Sequence, residues 1–372
     1  MKNKIFTGVF ALLLFGLAIL TLALPKKTFS ETENRTLAAL PKPTKETVLD
    51  GQFTAGFAKW LSDHYAGRDL FVSVKSGFDL LLGSREHGGV YLTNKGLVDS
   101  FTEKDAKEFD KNIGAVEAFQ QKLTAYGADF RLLIAPTGTQ VYADRLPAGA
   151  PVLDAAPLFD RLRENAAFVD LTGVFAAHRD EDLFYTTDHH WTARGAYLAY
   201  CEWMNARGET PKTEADFKLE TVTDSFYGTL YSRFGLFLPV FRDTLVAPAA
   251  EALGHVTRTN SKGETFDSLY APETLTGKDK YLYFLGGNDS IVELTTDAGT
   301  GKSLLLIKDS YANAFLPYAL PEFDRVTVID LRYYSMDVVM NLVKNNAYTD
   351  VLVLYNLKSF ASDRNLELLP LE

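Results

Sequence analysis

A carboxylate two residues ahead of an imidazole stands out in Thr187-Asp188-His189-His190-Trp191-Thr192-Ala193-Arg194-Gly195-Ala196. In a turn, Asp188 can accept the Nδ1–H of His190 and leave Nε2 free to face a hydroxyl. Much later comes Ser303-Leu304-Leu305-Leu306-Ile307-Lys308-Asp309-Ser310-Tyr311, an apolar strand run that ends in a serine before a helical segment. Ligands of open α/β sheets bind at the carboxyl ends of strands, which is where Ser310 falls. The helix that follows offers free N–H groups to a developing oxyanion. Together Asp188, His190 and Ser310 make a candidate triad for nucleophilic acyl chemistry. Ser310 attacks, His190 takes and returns the proton, and Asp188 sets the tautomer and stabilises the imidazolium.

Each of these residues also has a plainer use. Ser310 could simply cap the helix after it. Asp188, His189 and His190 could ligate a metal, but adjacent histidines rarely point the same way and no other His/Asp/Glu cluster has ligand spacing, so no metal and no cofactor are expected. His189 is expected to turn away from its neighbour and not to act as the base. Trp191 reads as a packing anchor.

The elements that must position these residues follow from hydrophobic periodicity. Phe130–Ala135, Ala167–Leu171, Tyr281–Leu285, Leu304–Ile307, Val326–Ile329 and Val351–Tyr355 read as strands. Glu103–Tyr126, Ala193–Arg207, Tyr311–Leu320 and Met336–Asn345 read as helices, and Val90–Val98 as a hairpin turning at Asn94-Lys95-Gly96. Helix alternating with strand indicates an α/β fold with a mostly parallel sheet covered on both faces. Residues 208–277 are less regular and read as an insertion that shapes a site. Two helices broken at Tyr65-Ala66-Gly67-Arg68-Asp69 fill the stretch from Val48 to Leu82.

A hydrophobic content of 47% over 372 residues fits a globular protein with a sizeable core. The net charge of -10, with no basic cluster outside the N-terminus, disfavours nucleic acid as a partner. The single cysteine, Cys201, excludes an intrachain disulfide and reads as a small buried residue. After Met1-Lys2-Asn3-Lys4, the run Ile5–Leu24 has no charge and is long enough to span a bilayer. The leading lysines place the N-terminus inside and the body outside the cell membrane. Leu22-Ala23-Leu24-Pro25 is a poor cleavage site, so residues 1–24 read as an anchor, with a cleaved signal peptide as the competing reading. Residues 25–47, polar and punctuated by prolines, form a juxtamembrane linker, and residues 48–372 the exported domain.

The same residues carry a resemblance. Asp188-His189-His190-Trp191 looks like the signature of the DHHW proteins. Asp188-x-His190-Trp191-Thr192 with Gly195 also resembles the motif of the alginate O-acetylation proteins of the SGNH hydrolase superfamily. The order Asp188, His190, Ser310 matches theirs. Lys308-Asp309-Ser310-Tyr311 is similar to their Gly-Asp-Ser block, with Lys308 where a Gly often stands. Ser30-Glu31-x-Glu33-Asn34-Arg35-x-Leu37, Asp63-His64-Tyr65-x-Gly67-Arg68 and Asp330-Leu331-Arg332-Tyr333-Tyr334 also look like family blocks.

The resemblance implies an SGNH-like three-layer fold and an oxyanion hole that pairs the serine N–H with an asparagine. Asn288, in Gly286-Gly287-Asn288-Asp289, resembles that asparagine, and Asn356 is a second candidate. Tyr311 is expected to line the acyl pocket. Arg332 is expected either to clamp an anionic sugar or acetyl carbonyl, or to sit in an ion pair. His64 and Arg68 are assigned to structure. The implied activity is acetyl transfer to a cell-surface or secreted polysaccharide, with a partner membrane acyltransferase supplying the acetyl group. A carbohydrate acetylesterase with the same triad and a non-catalytic glycan-binding protein remain as alternatives.

Overall fold

The strand leading to Ser310 is apolar along its length because both of its sides are covered. In the computed structural model, residues 2–30, 35–235, 240–334 and 339–371 are described. Leu304 and Leu306 enter one hydrophobic core, and Leu305 and Ile307 enter a second on the opposite face. A strand with no solvent side has no reason to alternate apolar with polar residues.

The helices used below are α1 (Lys2–Ala23), α2 (Gln52–His64), α3 (Arg68–Leu81), α4 (Phe109–Leu123), α5 (Ala156–Arg163), α6 (Ala193–Ala206), α7 (Tyr311–Ala319), α8 (Val339–Asn346) and α9 (Leu357–Ser362). The strands are β1 (Val90–Leu92), β2 (Leu97–Asp99), β3 (Asp129–Ala135), β4 (Phe168–Val169), β5 (Leu219–Phe226), β6 (Asp243–Pro248), β7 (Val256–Thr259), β8 (Thr265–Phe266), β9 (Ile291–Thr296), β10 (Ser303–Lys308), β11 (Arg325–Ile329) and β12 (Asp350–Asn356).

Eight strands form one sheet in the order β8-β7-β9-β11-β10-β12-β3-β4. The five from β11 to β4 are parallel, and β9, β7 and β8 extend the sheet antiparallel from β11. β10 lies between its partners in the registers Ile307↔Ile329 and Ile307↔Val353. The segments leaving β10, β11 and β12 therefore emerge side by side at one end of the sheet, carrying Ser310, Asp330 and Asn356. Helices α6 and α7 supply Trp203, Phe315 and Tyr318 to one core, and α4, α5, α8 and α9 supply Phe119, Phe159, Val343 and Phe360 to the other. This is the expected three-layer α/β arrangement with a mostly parallel sheet.

The chain divides into two compact units, Met1–Gly88 with Tyr231–Val240 and Gly89–Leu230 with Phe241–Glu372. Residues 48–88, expected inside the α/β domain, thus group with the N-terminal segment. Helix α1 contains a stretch, Lys4–Ala23, that is long and apolar enough to cross a membrane.

Several expectations need correction. Tyr281–Leu285 is not a strand: Lys280–Tyr283 is a 3-10 turn, and Leu285, Gly286 and Gly287 follow with φ of 67°, 79° and 105°. The aromatic residues of this run are buried by a tight turn, which a pattern of apolar residues cannot distinguish from a strand. Residues 208–277 are not merely an insertion, since β7 and β8 are part of the main sheet. Strand β9 and the β5–β6 hairpin were not expected, because their sequences are rich in Thr, Glu and Asp. The long helix over 103–126 is α4 with a 3-10 turn at its C-terminal end and a separate one ahead of it. The start of the helix expected at Met336 lies outside the described residues. Cys201 is only partly buried.

Helix α6 follows directly on the Asp188–His190 loop. Thr192 caps it by accepting from the N–H of Gly195 at 3.4 Å. A Cβ on Gly195 would lie 2.6 Å from the Leu183 carbonyl and 2.9 Å from Trp191 Cβ, contacts that backbone cannot easily relieve. Gly195→Ala is therefore expected to lower stability by about 2 kcal/mol. Urea unfolding followed by circular dichroism measures this, and an unchanged midpoint would show that the loop can move.

Candidate active site

The loop between Thr186 and Thr192 is fixed before any chemistry is considered. The N–H and hydroxyl of Thr186 and the N–H of Thr187 donate to the buried carboxylate of Asp243 on β6 at 2.8, 2.9 and 2.7 Å, and the Thr187 hydroxyl donates to it as well. Phe184 and Trp191 form an isolated antiparallel bridge across the loop. Trp191 is fully buried and its indole N–H donates to the Tyr311 carbonyl at 3.0 Å, which ties the loop to the start of α7.

Within this frame three side chains form a hydrogen-bonded row. His190 Nδ1 is 2.5 Å from Asp188 Oδ1, and His190 Nε2 is 2.7 Å from Ser310 Oγ. An ionised carboxylate only accepts, so Nδ1 carries the proton and Nε2 accepts from the serine hydroxyl. Ser310 occupies the N-cap position of α7, yet its side chain makes no capping bond. Its hydroxyl is spent on His190 instead.

The turn that presents Ser310 is held by Asp309. One carboxylate oxygen accepts from the Tyr311 N–H at 2.9 Å, and the other from the N–H and side-chain amide of Asn356 at 2.9 and 2.6 Å. Burial raises the Asp309 carboxyl above its usual range, an effect that the N–H groups of Asn356 and Tyr311 only partly offset.

Residues 156–329 match the DHHW protein family. The chain is also 24% identical over 180 residues to a probable alginate O-acetylase AlgJ of Pseudomonas syringae pv. tomato, and 25% identical over 165 residues to that of Pseudomonas fluorescens. These alignments cover 44% and 41% of this chain, and 45% and 42% of the relatives, so the chain spans less than half the length of the curated relatives it matches. Among solved structures, it resembles a DHHW family protein from Eubacterium siraeum (TM-score 0.63, 22% identity), with 76% of this chain and 95% of that one covered. It resembles Bacillus cereus PatB1 equally well (TM-score 0.64, 21% identity), with 74% and 98% covered. At this identity the structural likeness speaks for the fold.

Other residues of the DHHW segment support Asp188. Its second oxygen accepts from the N–H and hydroxyl of Thr229 at 2.7 and 3.0 Å. Gly228 lies so close that any Cβ there would run into the Asp188 side chain. Burial alone would raise the Asp188 carboxyl, but the two imidazoles beside it, which its charge would help to protonate, and the hydrogen bonds from His190 and Thr229 hold it far below the usual carboxylate range. Tyr281 stacks on His190 with ring centroids 3.8 Å apart and planes 9° apart, and its hydroxyl donates to the Ser310 carbonyl at 3.1 Å. Thr229, Asp243 and Tyr281 were missed from the sequence. The only signal was the unusual Phe226-Tyr227-Gly228-Thr229 segment.

His189 is not turned away as expected. Its ring lies against His190, with centroids 3.9 Å apart. Its Nδ1 is 2.7 Å from Thr229 Oγ1, a hydroxyl already donating to Asp188, so His189 is the donor. Asp188, His189 and His190 offer ligand atoms within 4.8 Å of one another, a spacing that could hold a cation. The Nδ1 atoms of both rings are committed to the hydrogen bonds above.

Asn288, Tyr311 and Arg332 have separate surroundings. Asn288 is exposed, and its side-chain oxygen accepts from Lys308 Nζ at 2.7 Å and from Asn313 Nδ2 at 3.3 Å. The Tyr311 hydroxyl donates to the His189 carbonyl at 2.5 Å. Tyr311 lines a small pocket with Asp188, His189, Lys95, Arg145 and Lys358. Arg332 grips the fully buried Asp330 through Nε at 2.9 Å and Nη2 at 2.6 Å, so of its two expected uses the structure shows the ion pair. Asn356 is the N-cap of α9 and the partner of Asp309.

Burial, reinforced by the neighbouring His190, pushes the His189 imidazole down to about 4 from 6.5. The unfolded chain therefore takes up this proton at a higher pH than the folded one does. Acidification from 6.5 towards 4 should lower stability. Urea midpoints across that window are expected to fall for the parent and to fall less for His189→Gln, whereas equal slopes would reject this coupling.

Proposed function

We propose that the protein transfers an acetyl group to a hydroxyl of a cell-surface or secreted polysaccharide through an acetyl-Ser310 intermediate. The observation that carries this reading is the hydrogen-bonded row Asp188–His190–Ser310, with the serine hydroxyl directed at an unprotonated imidazole nitrogen instead of into its helix cap. The partial likeness to a probable alginate O-acetylase supports the choice of acetyl and polysaccharide.

In the first half, Ser310 Oγ attacks the acetyl carbonyl of the donor while His190 Nε2 takes the hydroxyl proton. The tetrahedral oxyanion forms near the Ser310 N–H, which stands ahead of the first turn of α7 where the helix supplies no acceptor. His190 then returns the proton to the departing oxygen or sulfur. In the second half, a sugar hydroxyl gives its proton to His190 and attacks the acetyl-serine carbonyl, and Ser310 leaves with the proton restored. Asp188 stabilises the imidazolium in both halves. Tyr281, lying flat on the imidazole, keeps water from its face.

Asn288 supplies the second oxyanion donor. A side-chain amide accepts only through its oxygen, so the Lys308 ammonium holds the Asn288 oxygen and leaves the NH2 as the donor. Residues 1–24 anchor the chain, the body lies outside the cytoplasm, and a membrane acyltransferase presents the acetyl donor.

The test is the full chain in detergent with 4-nitrophenyl acetate. A mass increase of one acetyl group is expected on the parent and not on Ser310→Ala, with turnover reduced roughly 10³-fold or more in Ser310→Ala and His190→Ala. No adduct on a folded parent would reject the acyl-enzyme. Adding a polysaccharide separates transfer from hydrolysis: an acetylated glycan supports transferase, and acetate alone supports esterase.

A second measurement concerns the donor pair. Asn288→Ala is expected to lower kcat by about 10²-fold with little change in KM. Lys308→Met should cost little more once Asn288 is alanine, because it acts through that amide. Losses that multiply would show that Lys308 acts some other way.

A further inference from the structure

Helix α3 is built inside out. Its buried residue is Ser76, whereas Leu70, Phe71, Val74, Phe78 and Leu81 are 53%, 47%, 59%, 58% and 85% exposed. Leu82, its C-cap, is 72% exposed. At 3.6 residues per turn these six fall in one stripe about 120° wide. Within the second unit, large apolar side chains of comparable exposure, such as Tyr126, Val152, Tyr333 and Leu368, are scattered along the chain. Scattered apolar residues need no partner, but a continuous stripe marks a contact surface.

We infer that α3 lies in the membrane interface with this stripe in the lipid, beside the point where α1 leaves the bilayer. The inference rests on reading α1 as an anchor. Thr21, in the last turn of the apolar run, is buried and accepts from the N–H of Ala66 at 2.9 Å. His64 Nε2 meets the Lys27 carbonyl at 3.0 Å, and Lys26 Nζ lies 5.6 Å from the centre of the Trp60 ring. The corner between α2 and α3 is thus fastened to the outer end of α1, at the boundary of the hydrocarbon. Leu70 and Phe71 begin there.

The stripe continues to Leu82, about 18 Å further along the helix. A helix rising away from the surface would need apolar residues only in its first turn, so the unbroken stripe argues that α3 runs along the membrane. Tyr65, whose ring is 5.9 Å from that of Phe71, is of the aromatic type that favours this depth. Lys75 and Asp79, an i,i+4 ion pair at 2.7 Å, flank the stripe on the polar side. A protein-binding face would mix hydrogen-bonding groups among its apolar ones. This stripe contains none.

The test uses the full chain in phosphatidylcholine vesicles that carry nitroxide-labelled lipid. A bimane label is placed on single cysteines in a Cys201→Ser background, at Val74→Cys and Phe78→Cys on the stripe, Asp69→Cys on the opposite side and Leu13→Cys in α1. Leu13 should be quenched by deep nitroxides. Val74 and Phe78 should be quenched by shallow ones at least about threefold more than Asp69. Quenching at Leu13 with Val74 and Phe78 no different from Asp69 would overturn the inference and leave the anchor intact. An unquenched Leu13 would instead reject the anchor reading, and the inference with it. Stripe labels shielded from both nitroxide lipid and aqueous iodide would mean that another protein covers α3, which also overturns it.

Discussion

The imidazole of His190 is held at both nitrogens and on one face, and the surrounding structure is organised to make that possible. Nδ1 needs an ionised carboxylate, so Asp188 must stay charged although it is 2% exposed. A buried charge is costly unless donors surround it. Here four donors do: the N–H and Nδ1–H of His190 and the N–H and hydroxyl of Thr229. Bringing Thr229 that close requires the backbone before it to pass against Asp188, which only a residue without a side chain allows. Gly228 meets that requirement. The irregular stretch after α6 is therefore a wall of the site.

At Ser310 the constraint is reversed, because its hydroxyl is bonded to His190 and not to its own helix. A serine at an N-cap ordinarily accepts from the first turn. Here the N–H groups of Ala312 and Asn313 donate instead to the backbone carbonyls of Asp309 and Ser310 at 3.3 and 3.2 Å, the Asp309 carboxylate accepts the Tyr311 N–H, and Asn356 pins its other oxygen from the end of β12. The parallel registers of β10 with β11 and β12 bring the two segments together. The sheet thus fixes which strand ends are neighbours. Trp191 and Tyr311 then lock the histidine loop to the serine helix through contacts that leave the Asp188–His190–Ser310 row untouched.

The parts of this arrangement that are local in sequence could be read from it. Asp188-x-His190 is a two-residue pattern, and Leu304–Ile307 declares a covered strand by its apolar run. The parts that depend on distant pairing could not. Nothing in Arg242-Asp243-Thr244 says that its carboxylate will receive four donors from residues 186 and 187. Tyr281 sits in an aromatic run that fits a strand, and only the left-handed backbone at Leu285 reveals the turn that lays its ring on His190. Arg332 was legible as a charge but not as a partner of Asp330, since two residues apart in a loop say little about where a side chain folds. His189 was placed wrongly for a related reason. Alternation along a chain holds for strands, and here the loop turns so that neighbouring rings lie against each other at a tilt.

Lys308 is the departure from the motif that physical reasoning explains best. A lysine that is 1% exposed at the end of a central strand pays a desolvation penalty, and burial lowers its pKa to about 8 despite the attraction of Asp330 at 3.5 Å. A small residue there would avoid the penalty but could not reach Asn288. Asn288 follows two glycines of positive φ, which carry no side chains to hold its amide. An ammonium fixed by the rigid sheet, assisted by Asn313 on α7, supplies that orientation from the outside. Asp330 is itself neutralised by Arg332, so it attracts Lys308 without drawing it into a close pair. The cost of a buried charge thus becomes intelligible as the means by which a strand of the sheet orients a group on the loop beside it.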